Sequence, residues 1–205
     1  PGENEGGSAA NITKIKVLPG GTVWLLSETE GAVRVTTDPQ DYSLTSQWFP
    51  AQSGQFAATR VFHVYEDRSG NEWILSDNGL GMLAPGEKMP VFYFSETTER
   101  EKKGGQAFYS CLEHDSEIFF GSGNGRVWRY QKGSGQFSLL SLQASSRVVS
   151  IDDIDGEEMI FTTSKDGFFS CKFKTEEMEH FPASRFPNGS IYSVYVDTVS
   201  YTHLT

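Results

Sequence analysis

A pattern that recurs four times along the 205 residues constrains the fold of this chain more than any other feature. Each copy has an apolar run, a turn rich in Gly or Asp, a second apolar run that ends in Ser or Thr, and then a Gly. The large apolar residues of the second run are Trp24, Trp73, Phe119 and Ile160, and the glycines are Gly31, Gly79, Gly125 and Gly167. Successive copies of the large apolar residue are 49, 46 and 41 residues apart. Repeats of this length with short β-branched and aromatic runs are typical of stacked or radial arrays of β-sheets.

Short turns separate the predicted strands within each copy. The strands must therefore pair as antiparallel meanders, because parallel pairing needs long crossovers. Dipeptides such as Asn78-Gly79 and Asp155-Gly156 permit the positive φ that tight hairpins require. We predict an all-β chain, a fragment of a larger β-propeller with about four four-stranded antiparallel blades and the start of a fifth. The predicted blades are 11–57, 58–104, 105–145 and 146–188, and the next blade starts at 189–197.

The two ends of the chain depart from the repeat. Residues 1–10 have almost no apolar content and are predicted to be a linker or a disordered start. Residues 191–197 align with the first run of another copy, so we expect the chain to stop inside a blade. Residues 198–205 resemble a translated sequencing adapter, and this tail of doubtful origin is assigned no function. Such a fragment would leave apolar sheet faces uncovered at both of its ends.

Composition excludes some classes of partner. The formal net charge of −10 argues against a nucleic-acid partner, because binding to phosphate backbones requires a basic surface. The chain has no run of 18 apolar residues, so no direct membrane contact is expected of this segment. Cys111 and Cys171 fall within apolar runs of different copies and are interpreted as buried thiols, although their spacing alone does not exclude a disulfide.

Three motifs that suggest chemical sites are better explained by the repeat. Residues 152–157 resemble part of a calcium loop, but Ser164 stands where the loop needs its final Glu, which favours a plain hairpin turn. Residues 121–125 resemble a dinucleotide loop, but a strand-like run follows where a helix is required. The four His lack metal-type spacing, and His63 is predicted to be packed within an apolar run. We therefore predict no catalytic residue, no metal site and no cofactor.

The second copy carries a recognisable motif. Its residues are Asp67-Arg68-Ser69-Gly70-Asn71-Glu72-Trp73-Ile74-Leu75-Ser76-Asp77-Asn78-Gly79-Leu80. This segment resembles the two-component regulator propeller repeat, whose usual form is Asp-x-x-Gly-Asn-x-Trp-[Ile/Val]-Gly-Thr-x-x-Gly-Leu. It departs from that form at Leu75, where Gly is common, and at Ser76, where Thr is common. The resemblance extends over about residues 12–197 and is weaker in the other three copies.

In that family, such repeats build the extracytoplasmic sensor of hybrid two-component regulators, which commonly recognise glycan fragments and control polysaccharide-degradation genes. The resemblance therefore implies a non-enzymatic, periplasmic sensor segment of an inner-membrane protein. The implied partners are an oligosaccharide, the remaining blades and the second propeller of the same protein, and a second copy of the full-length sensor. Two other classes stay open, namely a catalytic propeller such as a lyase or glycosidase and a generic protein-interaction propeller.

The polar candidates for ligand binding lie at the turn after the second strand of a copy, which shares one face with the connections between blades, and two aromatic candidates are added to them. They are the turn residues Asp77, Asn78, Asn124 and Asp166, the neighbouring Arg126, and the aromatic residues Trp48 and Trp128, which could stack on sugar rings. The alternatives are turn chemistry for the polar residues and packing between blades for the aromatic ones. The recurring residues Trp24, Trp73 and Phe119 and the four glycines are assigned a structural role. As exposed turn residues, Asp77 and Asn124 are expected to contribute little to stability.

Overall fold

The computed structural model describes residues 11–95, 106–142, 144–186, 194–196 and 202–204. The chain divides into two compact units, Pro1–Gly105 and Gln106–Thr205. This division lies next to the predicted boundary between the second and third blades. The predicted linker, residues 1–10, lies outside the described residues.

The first unit contains two four-stranded antiparallel sheets. The strands of its first sheet are β1 (Ile12–Val17), β2 (Val23–Ser27), β3 (Gly31–Thr37) and β4 (Leu44–Pro50). Those of its second sheet are β5 (Val61–Glu66), β6 (Glu72–Ser76), β7 (Leu80–Leu83) and β8 (Val91–Tyr93). In both sheets each strand pairs with its neighbour in the sequence, as the short turns require.

The second unit repeats this arrangement. Its first sheet contains β9 (Phe108–His114), β10 (Glu117–Ser122), β11 (Val127–Gln131) and β12 (Gln136–Leu139). Its second sheet contains β13 (Val148–Asp153), β14 (Glu158–Thr163), β15 (Phe168–Lys172) and β16 (Met178–Phe181), and a short 3-10 turn follows at Ala183–Arg185. A further pair joins β17 (Val194–Val196) to β18 (Thr202–Leu204). Four antiparallel four-stranded meanders thus confirm the predicted all-β, propeller-type class.

The core of the first unit lies between its two sheets. The rings of Trp24 and Phe49 stack with centroids 5.4 Å apart, and Phe56 stacks on Phe49 at 5.3 Å. Trp24 Nε1 donates a hydrogen bond of 2.7 Å to the buried carboxylate of Glu72 on the neighbouring sheet. The Arg34 guanidinium also pairs with this carboxylate, at 2.6 Å. Burial of the Glu72 charge is therefore offset by an ion pair and three donating groups.

The two sheets of the second unit are also joined by a shared apolar core and by an ion pair from an arginine. Phe119, Phe161 and Phe169 are buried in one cluster. Arg129 Nη1 lies 2.6 Å from Glu176 Oε1 at the β15–β16 turn. Arg34 and Arg129 each follow the large apolar residue of their copy by ten positions, so both units join their sheets with an arginine from the same position.

The signature motif of the second copy closes a turn. Asp67 accepts hydrogen bonds from Trp73 Nε1 at 2.9 Å, from Ser69 N at 2.8 Å, and from Asn71 N at 3.0 Å and Nδ2 at 2.9 Å. Burial of Asp67 opposes its ionisation, but these donors outweigh it and hold the pKa of the carboxyl below its usual value. The motif is therefore accounted for by the β5–β6 turn itself.

His63 makes stability depend on pH. Desolvation, with Lys16 and Lys14 nearby, lowers its pKa from 6.5 to about 4. A depressed pKa means that the unfolded chain binds the proton more tightly, so stability present above pH 6.5 is lost as pH falls towards 4. We expect His63→Gln to flatten the pH profile of urea unfolding in this window. An unchanged slope in the variant would contradict this assignment.

The described residues contain no helix long and apolar enough to cross a membrane. Within the described ranges, no group of three or more His, Cys, Asp or Glu could hold a metal ion. Cys111 and Cys171 do not form a disulfide with each other. Residues 154–157 form the β13–β14 turn, as predicted, in which Asp153 Oδ1 accepts from Gly156 N at 2.6 Å.

Candidate ligand-binding face

In each unit, the turn after a second strand and the connection that enters a sheet lie at the same end of the strands. We call this the loop end. In the first unit, Asn78 Nδ2 donates to Ala57 O at 3.0 Å. In the second unit, Gly123 N donates to Ala107 O and Ser164 N to Arg147 O, both at 2.9 Å. The predicted sharing of one face by these turns and connections is therefore observed within each unit.

The recurring hydroxyl organises the turn at the loop end. Ser76 Oγ donates to Gly79 O at 2.8 Å, and Thr163 Oγ1 donates to Gly167 O at 2.7 Å. Ser122 Oγ donates to Arg126 O at 2.7 Å, while Ser27 Oγ accepts from Glu30 N at 3.2 Å. All four hydroxyl-bearing residues are buried. These hydroxyls therefore stabilise the turns and are not accessible to a ligand.

Asp77 and Asn78 attach the β6–β7 turn to the connection that enters β5. Asp77 Oδ1 accepts from the backbone amides of Thr59 and Arg60, both at 3.0 Å. Asp77 and Asn78 are both half-buried. The expectation that Asp77 is an exposed turn residue of little consequence for stability therefore does not fit the structure, because its carboxylate satisfies two backbone donors 17 and 18 residues away.

We expect Asp77→Ala to lower the free energy of unfolding by about 1–2 kcal/mol, because two backbone N–H groups lose their acceptor. Asn124→Ala is the matched control, since Asn124 is exposed and bonds side chains only, and its cost should stay within about 0.5 kcal/mol. Chemical denaturation of the two variants measures both effects. Equal losses of unfolding free energy in the two variants would show that the hydrogen bonds from Thr59 and Arg60 to Asp77 do not contribute to stability.

Asn124 and Arg126 remain exposed at the loop end of the second unit. Asn124 Oδ1 accepts from Gln106 Nε2 at 3.3 Å and lies 2.7 Å from Ser122 Oγ, whose single proton it shares with Arg126 O. The Asn124 side chain is exposed to solvent beyond these contacts. Gly125, between these two residues, packs against Ala144 in the connection whose Ser145 and Ser146 bind Asp166 of the β14–β15 turn.

Asp166 holds the connection that enters β13. Its two oxygens accept from the backbone N and the hydroxyl of Ser145 and from the same two groups of Ser146, at 2.6–2.9 Å. Desolvation opposes ionisation, but these four donors hold the pKa of Asp166 below its usual value. Asp166 thus has the same role in the second unit that Asp77 has in the first.

The two candidate tryptophans lie on strands, Trp128 as the second residue of β11 and Trp48 two residues before the end of β4. Trp128 is half-buried on β11, between Phe120 and Leu139 in the register of the sheet. Trp48 is 57% exposed on β4. It lies on the face of the first sheet opposite the core, in a row with Ile15 on β1. Ile15, Val17 and Leu44 are also more than 60% exposed, so this face is apolar and open.

The recurring apolar residues fill the interior. Trp24 and Trp73 are fully buried, and Phe119 and Ile160 are at most 3% exposed. The four recurring glycines all have φ between 80° and 99°. A slot filled by Trp, Phe or Ile and closed to solvent is a packing position.

Sequence reasoning missed several cations at the loop end of the second unit. Arg147 precedes β13, with its guanidinium carbon 4.7 Å from the centroid of the Tyr109 ring. Lys165 lies in the β14–β15 turn and Arg185 in the 3-10 turn after β16. All three are exposed. Their positions before and after strands were visible in the sequence, but nothing in the motif distinguished them.

Comparison with solved structures shows which proteins share this fold. The chain is similar to the extracellular domain of BT4673 from B. thetaiotaomicron, a proposed one-component or hybrid two-component system, with a TM-score of 0.72 and 17% identity. The match covers 99% of this chain and 27% of that domain. The extracellular domain of BT3049 from the same organism, a proposed hybrid two-component system, has a TM-score of 0.68, 15% identity and coverages of 94% and 25%.

The computationally designed protein Ika8 also matches, with a TM-score of 0.58, 12% identity and coverages of 94% of this chain and 54% of that one. No protein-family model and no curated protein matches the chain. The chain therefore has the fold of parts of these extracellular domains, and it spans about a quarter of their length. Because a designed protein matches as well, the fold alone does not assign the function.

Proposed function

We propose that the chain is a segment of a periplasmic sensor that binds an oligosaccharide and does not transform it. Through this binding the whole protein controls polysaccharide-utilisation genes. One observation carries this proposal, namely the likeness along 99% of the chain to the extracellular domain of a proposed two-component system. The regulator-type motif at 67–80 gives independent support from the sequence. Kinase and output functions belong to other parts of such a protein.

The experiment uses the intact protein that carries this chain. It is titrated calorimetrically with a panel of purified oligosaccharides, and each saccharide is then recovered and examined by chromatography. We expect saturable binding of at least one saccharide, recovered intact. Turnover that a single carboxylate substitution abolishes would replace the proposal with a catalytic propeller. Absence of binding across the panel, together with capture of a protein ligand, would favour the protein-interaction alternative.

The open apolar face of the first sheet supports a second role, as scaffold. The row that contains Ile15 and Trp48 would be covered by a further blade of the same protein, since this chain spans only 27% of the domain that it resembles. A four-stranded blade is the occupant that fits, because sheets pack face to face through their apolar sides and the open side of β1–β4 is apolar. Dimerisation through this face in the intact protein is the competing outcome.

Trp48→Ala separates packing from sugar stacking. If a further blade covers Trp48, we expect the substitution to lower the stability of the intact protein by about 2 kcal/mol, through lost apolar burial. Saccharide affinity should not change. An unchanged melting curve with lost affinity would instead place Trp48 in the ligand site. The control is Tyr42→Phe, which removes only a hydroxyl from a ring that is 80% exposed.

A further inference from the structure

The loop end of the second unit concentrates positive charge. It comprises residues 106–107, 123–126, 140–142, 144–147, 164–167 and 182–186, and its cations are Arg126, Arg147, Lys165 and Arg185. Asp166 is the single carboxylate among these described residues, and four donors already occupy it. This end is therefore basic in a chain whose net charge is −10.

Within the described part of the second unit, the four loop-end cations form no ion pair, whereas other cations do. Arg129, Lys132 and Lys172 each pair with a carboxylate, namely Glu176, Glu113 and Glu177. Among the described residues, no carboxylate pairs with any of the four loop-end cations. Their charge is consequently available to an anionic ligand.

The opposite end of the same sheets has the opposite sign. The turns at 115–116, 132–135, 154–157 and 173–177 contain Asp115, Asp155, Glu157, Glu176 and Glu177 against Lys132 and Lys174. Strands of five or six residues separate the two ends by about 17–20 Å, whereas the Debye length at physiological salt is about 8 Å. The acidic turns therefore do not cancel the field of the loop end.

Hydrogen bonds and close backbone packing hold together the segments that contain Arg126, Arg147 and Lys165. Ser164 N donates to Arg147 O at 2.9 Å, and Lys165 N donates to Ser146 Oγ at 3.0 Å. Arg126 follows Gly125, whose backbone packs against Ala144 so closely that a Cβ there would lie 2.5 Å from the Ala144 oxygen. Arg126, Arg147 and Lys165 are thus anchored by the same two turns and one connection.

We propose that this loop end binds the carboxylate or sulfate groups of an acidic oligosaccharide, an inference that rests on the proposed function. Guanidinium groups pair with planar carboxylates, and with tetrahedral oxyanions such as phosphate, through two parallel hydrogen bonds. The exposed amide of Asn124 adds a donor for a sugar hydroxyl. No large apolar side chain is exposed among the described residues of this end, which disfavours a protein partner, whose interface needs an apolar centre.

The test measures calorimetric affinities of the intact protein for four probes: a galacturonate tetrasaccharide, a sulfated chondroitin tetrasaccharide, neutral maltotetraose and poly-glutamate. We expect at least one acidic saccharide to bind more tightly than the neutral one, with an affinity that falls as NaCl rises. Arg126→Ala with Arg147→Ala should weaken this binding by about tenfold or more, as expected for lost charged hydrogen bonds. Lys174→Ala removes one positive charge at the opposite end and should leave affinity within about twofold.

The outcomes separate this inference from the proposed function. Binding of neutral saccharides only would overturn the acidic-ligand inference and leave the sensor proposal standing. Binding of an acidic saccharide that the double variant retains would place the site elsewhere. Preference for poly-glutamate would identify an acidic peptide ligand instead. The salt dependence of the wild-type protein tests the charge requirement even if a variant fails to fold.

Discussion

Replacing Trp73 with Ala should lower the free energy of unfolding by about 3–5 kcal/mol, the usual cost of truncating a fully buried Trp or Phe. Trp73 is 0% exposed on β6, and its Nε1 donates to Asp67 at 2.9 Å. The substitution thus creates a cavity and also removes one of the donors that stabilise the Asp67 carboxylate. Urea denaturation of the intact protein measures the effect.

A graded variant separates the two contributions. Trp73→Phe keeps most of the apolar volume but removes the donor, so we expect it to cost clearly less than Trp73→Ala. Acidification should also cost both variants less stability than it costs the wild type, since both remove a donor that lowers the pKa of Asp67 and so bring that pKa closer to its value in the unfolded chain. A Trp73→Ala variant that melts like the wild type but loses saccharide binding would show that Trp73 serves the ligand instead of the core.

Replacing Gly167 with Ala should cost on the order of 3 kcal/mol, the second large effect. Gly167 has φ +92°, which residues with a Cβ rarely adopt. A Cβ there would also lie 2.1 Å from Phe181 O and 2.6 Å from Ala183 N. Both neighbours are backbone atoms, so relief requires that the turn move away from the end of β16.

Gly156→Ala is the matched control in the same sheet. Gly156 has φ +80°, but nothing lies within 4 Å of the position of its Cβ. It should therefore show only the conformational penalty, about 1 kcal/mol. Equal losses in thermal or chemical denaturation would mean that the close approach of Gly167 to Phe181 has no energetic role.

The sequence predicted the sheets well because their determinants are local. Trp24, Trp73, Phe119 and Ile160 mark the second strands of the four meanders, and the turn glycines mark where the chain reverses. Short turns then leave antiparallel pairing as the one available topology. The same reasoning identified the turns after the second strands and their shared face.

The roles of single polar residues were harder to predict, since their partners lie far away in the sequence. Asp77 satisfies amides of Thr59 and Arg60, and no local pattern reveals this contact. The exposure of Trp48 depends on which face of its sheet meets the core. Arg126 was among the predicted residues, but the other cations of the basic loop end were missed, because Arg147, Lys165 and Arg185 come from separate segments that only the fold places at the same end of the strands.

The most direct test of the account is a crystal structure of the intact protein with a bound acidic tetrasaccharide. We expect the saccharide at the loop end of residues 106–186, with an anionic group within hydrogen-bond distance of Arg126 or Arg147 and no contact to Trp73. The saccharide should be intact in the density. A ligand bound at the opposite, acidic turns, or cleaved in the crystal, would contradict the account.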